Sequence, residues 1–228
     1  MHFKRSGIAI YALILFLFIG GSGPLLAGEL PGSSDALKLL KEGNKRFVEM
    51  KLQHPNETIE RRQDTAMNGQ SPFAVVLACS DSRVPVEAIF DRGIGDIFVV
   101  RVAGNIAVDK SVIGSVEYAV KYLNSPLLVI MGHTECGAVK SAVSGHAAEG
   151  QVLDIQKVIL PIVIKIRKDR PDLAESDMLN VAIRDNALQA KADILDKSSI
   201  VKKMADDGKL KIVTAIYDIK TGSIEWIE

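Results

Sequence analysis

Two short segments carry the side chains that could do chemistry. In the first, Cys79, Asp81 and Arg83 alternate with serines, and in the second, His133 and Cys136 lie three positions apart. Two thiolates and an imidazole are three of the four ligands that a tetrahedral zinc ion takes in proteins. Because this set lacks a fourth protein ligand, it leaves one coordination position for water.

Asp81 and Arg83 add a carboxylate and a guanidinium to this set. Two thiolates cancel the charge of a divalent zinc ion, so the site is close to neutral before any hydroxide binds. Asp81 can accept a hydrogen bond from hydroxide on the metal and orient it, or it can coordinate the metal itself. Arg83 can hold Asp81 in its ionised form through a charge-assisted pair.

A disulfide between Cys79 and Cys136 is the main alternative for the two cysteines of the chain. An even cysteine count in an exported protein is typical of a disulfide. Taken singly, a buried cysteine usually just packs, and a strand histidine is often a satisfied core residue. A disulfide explains neither His133 nor Asp81, so the joint spacing favours a metal site and leaves the disulfide open as an alternative.

The elements that must position these side chains are short buried strands. Three uncharged or nearly uncharged runs rich in β-branched residues predict strands at 73–79, 96–102 and 127–131. Helical patterns alternate with them, which predicts crossover units and a mainly parallel sheet. In such a sheet Cys79 and the segment 132–137 fall at the carboxyl edge, where ligand sites gather.

Helices account for most of the remaining chain. Apolar residues at helical spacing predict helices near 33–51, 57–67, 110–123, 136–145 and 175–195, and a shorter one that ends at Gly208. The apolar segment 151–168 contains Pro161, which should kink or split it. The last two apolar runs, "LKIVTAIYDI" and "TGSIEWI", predict an antiparallel hairpin. We therefore predict one α/β domain over residues 28–228, with a mainly parallel central sheet flanked by helices and an antiparallel carboxyl-terminal hairpin.

The first 27 residues predict a secretory signal peptide. Lys4 and Arg5 precede an uncharged apolar run at 8–19, which is shorter than the roughly 20 residues that span a bilayer. We therefore expect cleavage after Ala27 rather than an uncleaved anchor. Of 28 basic and 28 acidic residues, cleavage removes two basic ones and leaves 26 against 28. This balance gives no attraction to nucleic acid or membrane surfaces, and we expect a periplasmic or secreted protein.

Together the two segments resemble the β-class carbonic anhydrases. "CSDSR" at 79–83 and "GHTECGA" at 132–138 match that family's Cys-x-Asp-x-Arg and His-x-x-Cys patterns. Further similarity lies in "LLKEGNKRF" at 39–47, "IFDRGIGDIFVVRVAGN" at 89–105 and "GSVEYAVKYL" at 114–123. The resemblance covers about residues 35–226, with one departure at Thr214-Ala215, where a glycine is expected.

The resemblance implies a role for each of the five reactive side chains. Cys79, His133 and Cys136 match the ligands of one Zn²⁺ ion per subunit. Asp81 and Arg83 match the catalytic pair, whose pairing leaves the fourth zinc position to water. In a closed state of some family members the aspartate becomes the fourth ligand, so Asp81 is a metal ligand in one state.

Three further residues match positions that contact substrate. Gly137 matches a residue whose backbone N–H faces the substrate, Gln70 one that hydrogen-bonds bicarbonate, and Asn105 one that lines the site. The alternative for Gln70 is a loop residue facing water, and for Asn105 a structural residue. The resemblance also implies a homodimer or dimer-based oligomer, with the amino-terminal helix laid on the other subunit. The apolar face of 37–48 fits that arrangement and ordinary core packing equally.

The implied reaction is the reversible hydration of CO2 to bicarbonate and a proton by zinc-bound hydroxide. The same ligands could serve hydrolysis of CS2 or COS, which relatives of the family carry out. Two other functions stay open. One is a non-enzymatic exported domain with a Cys79–Cys136 disulfide, and the other is a zinc-storing or redox-sensing protein that uses the same ligands.

Overall fold

A five-stranded mixed sheet brings the two reactive segments to one edge. The structure, a computed structural model, describes residues 30–227. Strands β1 to β5 occupy Ala74–Ala78, Ile97–Arg101, Leu127–His133, Lys211–Tyr217 and Ile224–Ile227. Their order is β2-β1-β3-β4-β5, and every pair is parallel except the antiparallel pair β4 and β5. The predicted α/β class is confirmed.

Helices cover both faces of the sheet. Helices α1 to α8 occupy Ser33–Val48, Ile59–Asn68, Val86–Ile89, Lys110–Glu117, Gly137–Ser144, Val152–Asp169, Glu175–Lys197 and Ser199–Asp206. Successive strand side chains point to opposite faces. Val76 and Val129 accordingly pack with α1 and α3, whereas Val75 and Leu128 pack with α4, α7 and α8. A further apolar cluster joins α5, α6 and α7 and includes both cysteines.

Helix α1 is anchored within its own chain. Its residues Ala36 and Leu40 are fully buried in the core. The Asn44 side chain donates to the carbonyl oxygens of Gly222, at 2.8 Å, and Ile89, at 3.3 Å, and accepts the N–H of Ile224 at 3.2 Å. The apolar face predicted for this helix therefore serves core packing in the described chain, and its role in an oligomer stays a prediction.

Two helices differ from their predicted form. Segment 152–169 is one continuous helix, so the prediction that Pro161 splits it is wrong. Pro161 has no N–H, so the carbonyl oxygen of Lys157 loses its helical partner. Both residues are exposed, so water can replace the missing hydrogen bond. The helix predicted at 110–123 ends as an α-helix at Glu117 and continues as a π-helical turn over Tyr118–Tyr122. Its first turn is capped by the Asp109 side chain, which accepts the N–H of Ser111.

The predicted signal peptide, residues 1–27, lies outside the described residues. Among residues 30–227, no helix combines the length and apolar character that crossing a bilayer requires.

Candidate metal centre

Three elements deliver the two thiols and the imidazole to one place. Cys79 directly follows β1, His133 ends β3, and Cys136 is the residue before the first turn of α5. β1 and β3 are adjacent and parallel, with Ala78 paired to Met131. Because parallel neighbours end at the same edge, the predicted convergence of the two segments follows directly from the register.

The three donor atoms form a compact and buried set. They all lie within 4.8 Å of one another, and the residues are 5%, 0% and 1% exposed for Cys79, His133 and Cys136. Both cysteines are free thiols, so the structure does not contain the alternative disulfide. Ligand sulfurs on a tetrahedral zinc ion stand about 3.8 Å apart for Zn–S bonds of about 2.3 Å. Small side-chain movements therefore suffice for this set to fit a zinc ion.

The His133 ring leaves one nitrogen available to a metal ion. Its Nδ1 lies 2.9 Å from the carbonyl oxygen of Thr134, which accepts an N–H only if the proton is on Nδ1. The lone pair is then on Nε2, which is buried and has no hydrogen-bond partner within residues 30–227. A buried nitrogen without a partner costs folding free energy. In metal sites, a hydrogen bond from the other ring nitrogen, such as that from Nδ1 to Thr134, orients the ligand histidine. The residues present fit a metal ion.

The two sulfurs differ in their surroundings. The N–H of Gly104 lies 3.3 Å from the Sγ of Cys79. Hydrogen bonding from the Cys136 thiol, with smaller effects of the His133 ring and of the N–H groups of Asp81 and Gly104, lowers the pKa of Cys79 below its ordinary value in spite of burial. Sharing of that proton with Cys79, together with burial, raises the pKa of Cys136. The pair loses its first proton readily and its second with difficulty, so binding of a metal must displace the second proton.

Asp81 lies beside the donor set and is held by Arg83. The guanidinium binds both carboxylate oxygens, with Nε–H to Oδ1 at 2.9 Å and an NH2 group to Oδ2 at 2.7 Å. The same NH2 group donates to the carbonyl oxygen of Glu135 at 3.2 Å, which ties the two reactive segments together. Arg83 holds the pKa of Asp81 well below its usual range, so the carboxylate is ionised and only accepts hydrogen bonds.

The carboxylate faces the donor set without joining it. Oδ2 of Asp81 lies 4.0 Å from Nε2 of His133. The three-residue donor set does not include Asp81, whose oxygens are both occupied by Arg83. The structure thus places the predicted pair in its paired form, and coordination by Asp81 in a closed state stays a prediction.

Arg101 is a site residue that the sequence reasoning missed. It ends β2, and its side chain donates to the carbonyl oxygens of Cys79 at 2.9 Å and Asp81 at 2.6 Å. These bonds hold the backbone of the first segment from the neighbouring strand. The available signal was a basic residue inside the otherwise apolar run "DIFVVRV".

The three predicted substrate residues are placed differently. Gly137 is exposed at the start of α5, and the space where a Cβ would stand is open. Asn105 is 1% exposed, follows the residue that contacts the Cys79 sulfur, and has an Nδ2 without a partner among the described residues. Gln70 is exposed at the amino end of β1, whereas Cys79 follows the carboxyl end of the same strand. The structure brings Asn105 and Gly137, but not Gln70, to the donor set of the same chain.

Fold and site together define an α/β protein with a buried Cys–His–Cys donor set, able to hold a metal ion, at the carboxyl edge of its sheet. Residues 74–224 match the family described as Carbonic anhydrase. The chain is 40% identical over 194 residues to carbonic anhydrase 2 of Mycobacterium tuberculosis, a match that covers 82% of this chain and 89% of that protein. It is 39% identical over 197 residues to a carbonic anhydrase of Mycolicibacterium smegmatis, covering 83% and 91%.

The fold gives the same result. A solved structure from a study of two tetrameric β-carbonic anhydrases of Sordaria macrospora superposes with a TM-score of 0.69 at 21% identity, covering 85% of this chain and 97% of that one. The chain therefore belongs to the carbonic anhydrase family of enzymes, and its fold is that of the solved β-carbonic anhydrases.

Proposed function

We propose that this enzyme catalyses the reversible hydration of CO2 to bicarbonate and a proton at a zinc ion held by Cys79, His133 and Cys136. The observation that carries the proposal is the buried donor set whose His133 Nε2 has no partner in the described chain, with an ionised carboxylate 4.0 Å away. The family of the chain supports the reaction, and the donor chemistry supports the metal.

When bound, zinc acts as a Lewis acid that lowers the pKa of water and so supplies a nucleophile near neutral pH. The protein contributes the neutral surroundings. Two thiolate ligands balance the ion's charge, and the apolar cluster around both cysteines excludes bulk water from the ligand side. Thiolates donate more charge than imidazoles, so we expect a smaller effect on the water pKa than three histidines produce.

Asp81 orients the attacking water, and Arg83 orients Asp81. The carboxylate can only accept hydrogen bonds, so it selects the water orientation in which an O–H points to Asp81 and a lone pair points to the carbon of CO2. The oxygen of this water bonds to the carbon, the electron pair of one C=O π bond moves to an oxygen of CO2 and gives bicarbonate its negative charge, and one proton of the water leaves to solvent. We expect the N–H of Gly137, which is exposed at the start of α5, to donate to a substrate oxygen.

Metal content and turnover measured on the same samples test this proposal. Cys79→Ser and His133→Gln should lose zinc and CO2 hydration together, because each removes a ligand. His146→Gln is the matched control, since His146 is exposed, and it should keep both. A wild-type protein without zinc, or a Cys79→Ser variant with full turnover, would contradict the mechanism.

The same samples separate the alternatives that share these ligands. Assays with CO2, CS2 and COS would show a CS2 or COS hydrolase by a preference for either sulfur compound. Bound zinc with no turnover of any of the three would indicate storage or redox sensing instead.

We also propose that the working form is a homodimer or a dimer-based oligomer. Gln70 and the donor set lie at opposite ends of β1, so Gln70 can reach a substrate only in the site of a second copy. Gln70→Ala should then lower kcat/KM without loss of zinc, and light scattering should show at least two subunits. A monomer with wild-type turnover would contradict both points.

Export is proposed from the sequence pattern of the first 27 residues. Amino-terminal sequencing of the protein recovered from cells should give a mature chain that begins near Gly28. Recovery of the intact amino terminus in the cytoplasm would contradict it.

A further inference from the structure

The turn at Gly104 donates a backbone N–H to a proposed ligand sulfur from outside the two ligand segments. Its N–H points at the Sγ of Cys79 from 25 positions further along the chain, at 3.3 Å. Gly104 has φ of +72° and ψ of 11°, a left-handed conformation that glycine adopts without steric cost. Residues 103–105 form only a single 3₁₀ turn, so a further contact is needed to fix the backbone conformation at Gly104.

Asn186 holds that turn from a distant helix. It lies in the middle of α7, 2% exposed, and its Nδ2 donates to the carbonyl oxygen of Gly104 at 2.8 Å. The two hydrogen bonds act on either side of the same α-carbon, one on the N–H and one on the carbonyl. Together they fix both peptide planes that meet at Gly104.

We propose that Asn186 is a positioning residue for Cys79, which acts by fixing the Gly104 turn so that its N–H donates to the ligand sulfur. This inference rests on the proposed function, because it needs Cys79 to bind the metal. An N–H donor lowers the electron density on a thiolate and restrains its direction, and hydrogen-bond partners of metal ligands tune the metal in this way.

Loss of the Asn186 amide should therefore change the metal–sulfur bond as well as the stability of the fold. Without its partner the Gly104 carbonyl can turn, and the N–H then leaves the sulfur. The thiolate becomes more electron-rich and less restrained. We expect metal release about 10-fold faster, the lower end of the effect of losing such a partner.

Cobalt provides a readout that a purely structural role would not move. With Co²⁺ in place of zinc, thiolate ligands give a sulfur-to-cobalt charge-transfer absorption whose energy falls as the sulfur becomes more electron-rich. Asn186→Ala should shift this band to longer wavelength and speed release of the metal to a chelator. The wild-type chain, loaded with Co²⁺ alone, is the reference.

Two asparagines of the same chain provide matched controls. Asn44→Ala removes another buried amide, 7% exposed, with two donated hydrogen bonds, but its partners lie in α3 and near β5, away from the metal centre. Asn180→Ala makes the same change at an exposed position of α7. Both should keep the wild-type cobalt spectrum and release rate, although Asn44→Ala should be destabilised.

The outcomes separate this inference from the proposed function. A wild-type protein without a thiolate-to-cobalt band would overturn the metal site itself. The positioning role alone would be overturned if the wild-type protein shows the band but Asn186→Ala has the same band wavelength and the same metal-release rate as Asn44→Ala. If Asn186→Ala does not fold, Gly104→Ala carries the test. Alanine is strained at φ of +72°, and its Cβ would lie 3.1 Å from the Cδ1 of Ile159 and 3.2 Å from the Cβ of Ala138, so we expect the turn to move. A variant that keeps the wild-type band and release rate would also overturn the inference.

Discussion

Replacing Asp81 by Asn tests whether an acceptor oxygen is needed beside the metal centre. Oδ1 accepts the main-chain N–H and the Nε–H of Arg83, both at 2.9 Å, so it takes two of the three bonds to this carboxylate. An Asn side chain therefore satisfies Arg83 best with its single oxygen at the Oδ1 position. Its amide nitrogen then takes the Oδ2 position, 4.0 Å from Nε2 of His133, and is a donor where an acceptor stood.

The magnitude follows from what the attacking water loses. Without an acceptor at Oδ2, water is no longer oriented, and we expect kcat/KM for CO2 hydration to fall about 10²-fold, the usual cost of misplacing a reacting group. This corresponds to about 2.7 kcal/mol in the activation free energy. Zinc content should stay at the wild-type level, because the three ligands are untouched.

Stopped-flow hydration with a pH indicator, together with metal analysis, measures both quantities. Because Arg83 holds the pKa of Asp81 well below its usual range, wild-type activity should show no titration of this carboxylate between about pH 5 and pH 9. Glu225→Gln is the matched control, since Glu225 accepts from Arg184 at 2.8 Å in an exposed ion pair of β5 and α7. An Asp81→Asn enzyme that keeps zinc and wild-type turnover, or an equal loss in Glu225→Gln, would refute the reasoning.

Three further predictions concern the residues that support the site and the fold. Arg101→Met keeps the apolar stem and removes both hydrogen bonds to the first reactive segment, so zinc loss to a chelator should become about 10-fold faster; an unchanged rate would show that these bonds do not hold the segment. Asn44→Ala leaves three main-chain groups without their partner and should lower the free energy of unfolding in urea by about 2–3 kcal/mol, against little change for Asn180→Ala. Burial alone would raise the pKa of Asp91, but Arg46 and two main-chain N–H groups outweigh it and leave that pKa below its ordinary value. A lowered pKa contributes stability above the unfolded value of about 3.9 and loses it as pH falls through the folded value. Wild-type stability should therefore drop more steeply below about pH 4 than that of Asp91→Asn in urea titrations at a series of pH values, and parallel curves would contradict the assignment.

Much of the metal centre could be predicted from sequence because its ligands follow strand ends. Cys79 comes directly after β1 and His133 ends β3, and parallel strands place such positions at one edge of the sheet. The pair Asp81 and Arg83 is two residues apart, so its contact is local as well. Local spacing and strand order were sufficient for these five residues.

Contacts between residues that are far apart in the sequence could not be predicted from local spacing. Asn186 reaches Gly104 across 82 positions, and Arg101 reaches Asp81 across 20. Nothing in the composition of α7 or β2 indicates which carbonyl a buried amide or a strand-end guanidinium will meet. The same limit applies to Pro161, whose tolerance depends on exposure of the carbonyl that it leaves unpaired.

The sequence by itself determined the reactive groups and the edge of the sheet at which they meet, because side-chain chemistry and strand periodicity depend only on residues that are close together in the sequence. The tertiary structure alone decided which nitrogen of His133 is free, which backbone groups face each sulfur, and that Gln70 lies at the far end of β1. These depend on the packing of α7, β2 and the turn at Gly104 around the site, and packing between distant segments is settled only when the whole chain has folded.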